Sequence, residues 1–427
     1  MQNPAPNDCF APSAALMAHK EAVGLLKARI APVAEKEKVA LKAAGGRILS
    51  EPVVAPHNVP RHTNSAVDGY AFAHPAYDAA NGAQMPVVGR AAAGHPIEGS
   101  VEPGQSIRIL TGAVLPEGVD TVVMQEDVTV SADGEAQAVK LPPGLKQGAN
   151  VRKAGEDLKE GSEILGIGHI LRPQDLAALA SIGQGQVDCF KRLKVGIVSS
   201  GDEIVEPGAG GLQVGQVYDA NSPMLESLVR LAGCEPVDLG IWPDKGEEVR
   251  ARLADAAQSL DVILTSGGAS VSEEDHMSAA LRALGSRHFW RIAVKPGRPM
   301  MFGQIGSTMM IGLPGNPVAV FVCFLVYVYP LLRRLSGGHW PEPQPIQLPA
   351  AFDQPKRKTG RREFWRASLV QGEHGLAVEK FARDGSGLIS GLRAADGLIE
   401  VDEDTPAIAR GDLVNFIPFS DFGILSK

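Results

Sequence analysis

From Arg192 to about Leu335, short apolar runs alternate with longer stretches whose apolar residues recur every three or four positions. The strand candidates are Lys194–Ser199, Val237–Ile241, Val262–Thr265, Ile292–Lys295 and Thr308–Ile311. The helix candidates between and after them are Pro223–Ala232, Glu247–Leu260, His276–Leu284 and Pro317–Leu335. Strands separated by helices of this length predict a mostly parallel, doubly wound sheet in three layers. Elsewhere the period changes. Ser13–Leu41 carries helical spacing, and Arg172–Ile182 does so again with Pro173 suited to a first helical turn. Between them, from about Val53 to Leu141, glycine and proline are frequent and short alternating segments such as Ser106–Leu110 and Thr121–Met124 read as strands. Beyond Gly337 a proline-rich linker leads to strands at Phe364–Leu369, Leu376–Lys380 and Leu413–Phe416, a small β barrel or sandwich.

These patterns predict a multidomain α/β protein. A helical or linker domain spans 1–57 with 142–191, and a β-rich domain is inserted at 58–141. A central three-layer βα domain covers 192–336, and a small C-terminal β barrel covers 337–427. A chain of 427 residues exceeds what one core accommodates, in keeping with that division. With 44% hydrophobic and 21% charged residues the composition is that of a soluble globular protein. A net charge of −8 argues against nucleic acid as a partner, which calls for a basic face. The one dense basic run, Lys356, Arg357, Lys358, Arg361 and Arg362, reads as a solvated loop. Cys9, Cys189, Cys234 and Cys323 are scattered, with no CxxC and no nearby histidine, so neither zinc nor a disulfide framework is expected. The N-terminus lacks a basic, then apolar, leader pattern. The longest apolar run, Val318–Tyr329, falls short of the ~20 residues that span a bilayer and reads as a buried helix. A cytoplasmic protein with no membrane partner is expected.

In an open α/β sheet, ligands bind at the carboxyl ends of the strands. Those ends carry unusual chemistry here. The first is followed by Ser199, Ser200, Gly201 and Glu203, then by Asp219 and Asn221 before the next helix. Asp244 follows the second. After the third comes Ser266, Gly267, Gly268, Ser270 and the acidic pair Glu274 and Asp275. Lys295 and Arg298 follow the fourth, and Pro314, Gly315, Asn316 and Pro317 the last. Glycines let a ligand approach the backbone amides, and a helix start favours anions. Carboxylates beside such a loop repel a bare anion unless a divalent cation bridges the two. An isolated Ser-Gly-Gly is more often a plain turn, but five such edges together point to a phosphorylated ligand held with Mg²⁺. Glu203, Asp219, Asp244 and Asp275 are then candidates for the metal or a polar substrate, and Lys295 and Arg298 for the anion. Asn316 and Pro317 form an N-cap and first-turn pair that would aim helix amides at the crevice. A second cluster, Asn64–Ala71 (NSAVDGYA) with Arg108–Ala113, lies in the β-rich part, where Asp-Gly alone would be an ordinary β-turn.

Taken together, NSAVDGYA, RILTGAVLPEGVDTVVMQEDV, SSGDE, ILTSGGASVSEED, VAVKPGRP, GLPGNP and GRREFWRASL closely resemble the MoeA family of molybdopterin molybdenumtransferases, whose animal counterpart is the E domain of gephyrin. The motifs follow the family's order from about Val59 to Phe419. The resemblance implies a four-part subunit that forms a homodimer. It implies insertion of molybdate into adenylylated molybdopterin, with Mg²⁺ and release of AMP. Catalytic roles then fall on Asp68, Thr111, Glu203, Asp244, Asp275 and Lys295, with Asp244, Asp275 and Glu203 as metal ligands. Ser199, Ser200, Gly201, Asp219, Asn221, Ser266, Gly267, Gly268, Ser270, Arg298 and the Pro314–Pro317 turn would hold the substrate. Molybdopterin adenylyltransferase and molybdoenzyme chaperones are the protein partners implied. Ser272 stands where the family commonly has glycine, Ser200 where it has threonine, and Arg298 where it has lysine; none removes a proposed ligand. The βα part alone would also suit an adenylyltransferase, and the same fold could serve as a non-catalytic scaffold. The β-rich and C-terminal parts favour insertion, and the intact acidic set argues against a scaffold.

Overall fold

The computed structural model describes residues 16–133, 136–267, 276–297 and 299–425. At its centre is a six-stranded sheet in the order Glu235–Trp242, Lys194–Ser200, Val262–Ser266, Thr308–Leu313, Pro299–Ile305, Ser286–Arg291. The first four strands are parallel neighbours, and the last two join by antiparallel pairing. Successive side chains of a strand point to opposite faces. Val195, Ile197, Val262 and Leu264 therefore share a core with helices Asn221–Leu231 and Pro317–Leu335. Val198 and Ile263 face the other way, onto Gly246–Ala256 and His276–Leu284. Both faces are covered, which is why all five residues of Val262–Ser266 are buried and the strand shows no polar alternation.

Helix Pro317–Leu335 is long and apolar enough by length and composition to cross a membrane, yet 83% of it is buried against protein, so it is a core helix. Its middle, Phe324–Val328, is a π turn. Pro330 follows with no amide hydrogen to give, the situation in which a helix commonly widens.

Ile292–Lys295 is not a strand of the central sheet. Ser286–Arg291 and Pro299–Ile305 are the strands there, while Val294–Lys295 leaves to pair in parallel with Arg362 and Glu363. The apolar run Ile292–Val294 reflects burial against the C-terminal part: Ile292 and Val294 share one core with Phe364 and Leu398.

The expected helix over Ser13–Leu41 is corrected as well. The helix observed is His19–Arg29, and Lys36–Ala40 is a strand paired with Gln186–Phe190. Pro32 keeps the chain from continuing as helix. The helix buries Ala22 and Leu26 in the central core. The segments that follow are more β than helical. Val53–Val54 pairs with Glu163–Leu165, and Asn64–Ser65 with Val151–Arg152, beside the short α-helix Pro173–Ser181.

The β-rich part forms a six-stranded sheet ordered Thr121–Met124, Gly69–Phe72, Ser106–Ile109, Ala83–Ala91, Ala136–Leu141, Thr129–Asp133. The C-terminal sheet runs Val294–Lys295, Arg362–Gly372, Gly397–Val401, Leu413–Pro418, Ile346–Pro349, with Gly375–Lys380 paired on Arg362–Gly372. A bridge between Ala350 and Val378 curls this sheet back on itself. The basic run ahead of it is not a solvated loop throughout. Arg357 and Arg362 are buried, and Arg362 pairs with Glu400, Asp402 and Glu403.

The N-terminal helix is keyed to the C-terminal sheet through His19. Its Nδ1 shares a 2.9 Å hydrogen bond with the Tyr327 hydroxyl, and its ring meets Phe364 edge-on. Burial, then the nearby Arg362 charge, push the imidazole down to about 4. An unfolded histidine ionises near 6.5, so between pH 6.5 and 4 the unfolded chain binds the extra proton and stability falls as pH drops. His19→Gln is expected to flatten that limb. Melting temperature against pH for both proteins checks it; parallel curves across the window would remove His19 as the cause.

Candidate functional site at the strand ends

The parallel register aligns the strand exits. Ser199 lies opposite Ser266, and Ser266 opposite Leu313. Asn221, at the start of its helix, ties these exits together: its Nδ2 donates to Ser266 Oγ at 2.7 Å and to the Gly315 carbonyl at 2.8 Å. Its Oδ1 and the Ser199 hydroxyl are buried with no hydrogen-bond partner among the described residues. Asp219 is buried and accepts the amides of Asn221 and Ser222 at 2.9 and 3.0 Å. One of its oxygens therefore serves to start the helix.

Ser200 Oγ donates to Asp244 Oδ1 at 2.9 Å, and the Asp244 amide donates to Asp202 Oδ1 at 3.2 Å. Glu203 folds back over Gly201, where a Cβ would lie 2.6 Å from its carboxylate. Gly267 has φ +90°, and a Cβ there would stand 2.8 Å from the Ser200 carbonyl oxygen. The Glu203 carboxylate could swing away, so at Gly201 it is the φ of +148° that favours glycine, whereas Gly267 is held by both its φ and a backbone contact.

Lys295 reaches the same edge by a different route from the one expected. It does not end a parallel strand. The following strand, Pro299–Ile305, runs antiparallel to Thr308–Leu313, so its amino end lies where the parallel strands have their carboxyl ends. The turn between rests on helix Pro317–Cys323, with Cys323 Sγ 3.7 Å from the Gly297 carbonyl. A cleft of about 500 Å³ opens there between the central and C-terminal parts. Gly267, Lys295, Pro314, Gly315 and Asn316 line one wall, and Arg366, Lys380, Arg383, Asp384 and Ser386 stand on the other.

Lys295 Nζ lies 3.5 Å from Glu363 and 3.8 Å from Asp384, and Lys380 binds Asp384 at 2.6 Å. Burial alone would raise the Asp384 carboxyl. The Lys380 hydrogen bond and the charges of Lys380, Lys295 and Arg366 outweigh it and hold the group below its ordinary value. Arg366 is buried and gives its guanidinium to the carbonyls of Leu388, Arg383 and Gly385, so it holds that loop in place. Asn316 occupies the N-cap position without a side-chain cap bond, contrary to expectation. The first-turn amide of Val318 donates to the Ser386 carbonyl at 3.1 Å, so this helix start is partly spent on the C-terminal part.

Asp68 and Thr111 stand apart from this cluster but meet each other. Thr111 donates both its amide and its hydroxyl to Asp68 Oδ1, each at 2.7 Å, and the amide, then the hydroxyl, lower the Asp68 carboxyl. Among the described residues no hydrogen bond or ion pair joins this pair to the strand ends. Gly268, Ser270, Asp275 and Arg298 lie outside the described residues. Among the described residues no group of three histidines, cysteines or carboxylates is gathered tightly enough to enclose a metal ion. What Asp244, Glu203 and Ser200 offer is oxygen from one or two carboxylates, the donor set by which Mg²⁺ is held when substrate phosphates and water complete its shell. The donors fit that ion.

Three family models match in sequence: the MoeA N-terminal region (domain I and II) over 17–183, a probable molybdopterin binding domain over 196–334, and the MoeA C-terminal region (domain IV) over 348–419. A molybdopterin molybdenumtransferase of Haemophilus influenzae is 37% identical over 388 residues, covering 90% of this chain and 94% of its own. The chain belongs to the molybdopterin molybdenumtransferase (MoeA) family. A crystal structure of the molybdopterin biosynthesis MoeA protein of Pyrococcus horikoshii superposes with TM-score 0.81 at 30% identity, over 95% of this chain and 100% of that one. The multidomain, mixed α/β fold is that of MoeA. Gephyrin of Dictyostelium discoideum is 28% identical, aligned to 90% of this chain and 59% of its own length.

No motif in the sequence marks Lys380, Arg383, Asp384 and Ser386 as site residues. They come from a strand end and loop whose residues carry no spacing signal, and only the curl of the C-terminal sheet brings them to the cleft. A direct check on the crowding is Gly267→Ala. The strained φ and the 2.8 Å approach to Ser200 should cost about 1–3 kcal/mol in urea denaturation; an unchanged midpoint would mean that the loop has room to spare.

Proposed function

We propose that this protein inserts molybdate into adenylylated molybdopterin, cleaving the phosphoanhydride and releasing AMP to yield molybdenum cofactor. The observation that carries this is family membership along nearly the whole chain: the Haemophilus relative so named aligns with 90% of it. The cleft supports the location. It sets Lys295, Lys380 and Arg383 around a space reached from the glycine loop at Gly267, a suitable surroundings for phosphate and an oxyanion.

In this reading Lys295, Arg298 and the glycine-loop amides hold the pterin phosphate and the incoming molybdate. Ser199, Asn221 and the Pro314–Pro317 turn shape the floor. Asp244, Glu203 and Asp275 would hold Mg²⁺, which when bound would neutralise charge developing on the departing AMP. Ser200 fixes the Asp244 carboxylate, and Asp219 fixes the helix that carries Asn221. Asp68, held by Thr111, belongs to the β-rich part and completes the site by closure or from the second subunit of a homodimer.

We also propose the division into 1–57 with 142–191, 58–141, 192–336 and 337–427, with the first helix packed on the third unit and the C-terminal unit a small barrel. A cytoplasmic location suits the free thiols of Cys189, Cys234 and Cys323. The adenylyltransferase that makes the substrate and chaperones of molybdoenzymes are the partners that would pass the unstable intermediates on.

AMP release from purified protein given adenylylated molybdopterin and Mg²⁺, with and without molybdate, tests the reaction. Release should depend on molybdate and stop on chelation of the metal. Asp244→Ala should slow it on the order of 100-fold, equivalent to about 3 kcal/mol of lost charge stabilisation. Molybdate-independent release, or none despite binding, would refute insertion, and full turnover of the variant would refute the metal assignment.

A further inference from the structure

Lys295 is bracketed by two carboxylates of different character. Asp384 has a side chain 55% exposed and is itself tied to Lys380. Glu363 has a side chain only 4% exposed. Its Oε2 accepts the Trp365 indole N–H at 2.8 Å and faces Lys295 Nζ at 3.5 Å, and its Oε1 faces Arg357 Nε at 3.6 Å. Arg357 is itself buried, and its Nε has no hydrogen bond.

The backbone fixes the pair further. Lys295 and Glu363 are direct register partners in the parallel pairing of Val294–Lys295 with Arg362–Glu363, so both side chains leave the same face at neighbouring positions. A lysine ammonium on its four-carbon stem loses rotamer freedom to sit in one place. An anion in a buried, low-dielectric position restrains it far more than an exposed one does.

We propose that Glu363 is the positioning residue of Lys295. It holds the ammonium at the cleft wall before substrate arrives, while Asp384 is the exchangeable counter-ion that an incoming oxyanion replaces. Glu363 touches neither substrate nor metal; it acts through Lys295. The inference rests on the reading above, in which Lys295 binds the oxyanion.

The test is a double-mutant cycle on the full chain, reading KM for molybdate and kcat for AMP release in wild type, Lys295→Met, Glu363→Gln and the double variant. Glutamine keeps an oxygen for Trp365 and removes the charge. Glu363→Gln should raise KM for molybdate about tenfold and leave kcat within about twofold, with no further rise when Lys295 is already methionine. Glu363→Asp, which keeps the charge one methylene further back, should recover part of the loss, and it supplies the comparison should the glutamine variant fail to fold. A lowered melting temperature with wild-type KM, or equal KM effects with and without Lys295, would make Glu363 a purely structural acid. An unchanged KM in Lys295→Met would overturn the placement of Lys295 and the positioning inference with it.

Discussion

The loops beyond the strand ends stay together because Asn221 donates from a single amide nitrogen to Ser266 and to Gly315. A parallel sheet by itself brings its carboxyl ends to one edge, but it does not stop the loops beyond from parting. One buried donor shared by two of them does. Asp219 in turn holds the helix on which Asn221 sits. Glycine at 267 then lets two loop backbones close to a distance that a side chain would not tolerate. The cleft is therefore a consequence of buried polar bonds, each costly to leave unmade.

The second wall depends on a different device. Val294 and Lys295 are lent to the C-terminal sheet, and the amide of Val318 is lent to Ser386. Both bonds cross from the central part to the C-terminal part close to the cleft. Cations of both parts consequently face one space, and Lys295 belongs to each: its backbone lies in one sheet while its approach is set by the turn leaving the other.

Much of this was legible in the sequence. Long, strongly periodic segments such as His276–Leu284 and Pro317–Leu335 emerge as helices, because their burial is one-sided or complete and their period is unambiguous. The strand-end chemistry could be read because glycine, carboxylate and proline declare themselves locally. What escaped was anything decided by partners distant in the chain. Ile292–Lys295 has the composition of a sheet strand, yet only Val294–Lys295 pairs as one, and in another sheet. Lys36–Ala40 has helical spacing and pairs instead with Gln186–Phe190, since a strand partner 150 residues away leaves no mark nearby. The basic run at Lys356–Arg362 hid two buried arginines, because burial of a cation depends on carboxylates such as Glu400 and Glu403 that lie far along the chain.

The loan of Val294–Lys295 bears on modularity. A unit cut at the proline-rich linker would keep its helices and its central strands, yet would expose a short strand with its ladder groups unsatisfied. Such an edge is a template for pairing with another copy. The central part of this chain is therefore not a freestanding module with an accessory appended. Its C-terminal companion acts as a built-in edge protector, and any shuffling of these parts among proteins would have to carry both sides of that seam together.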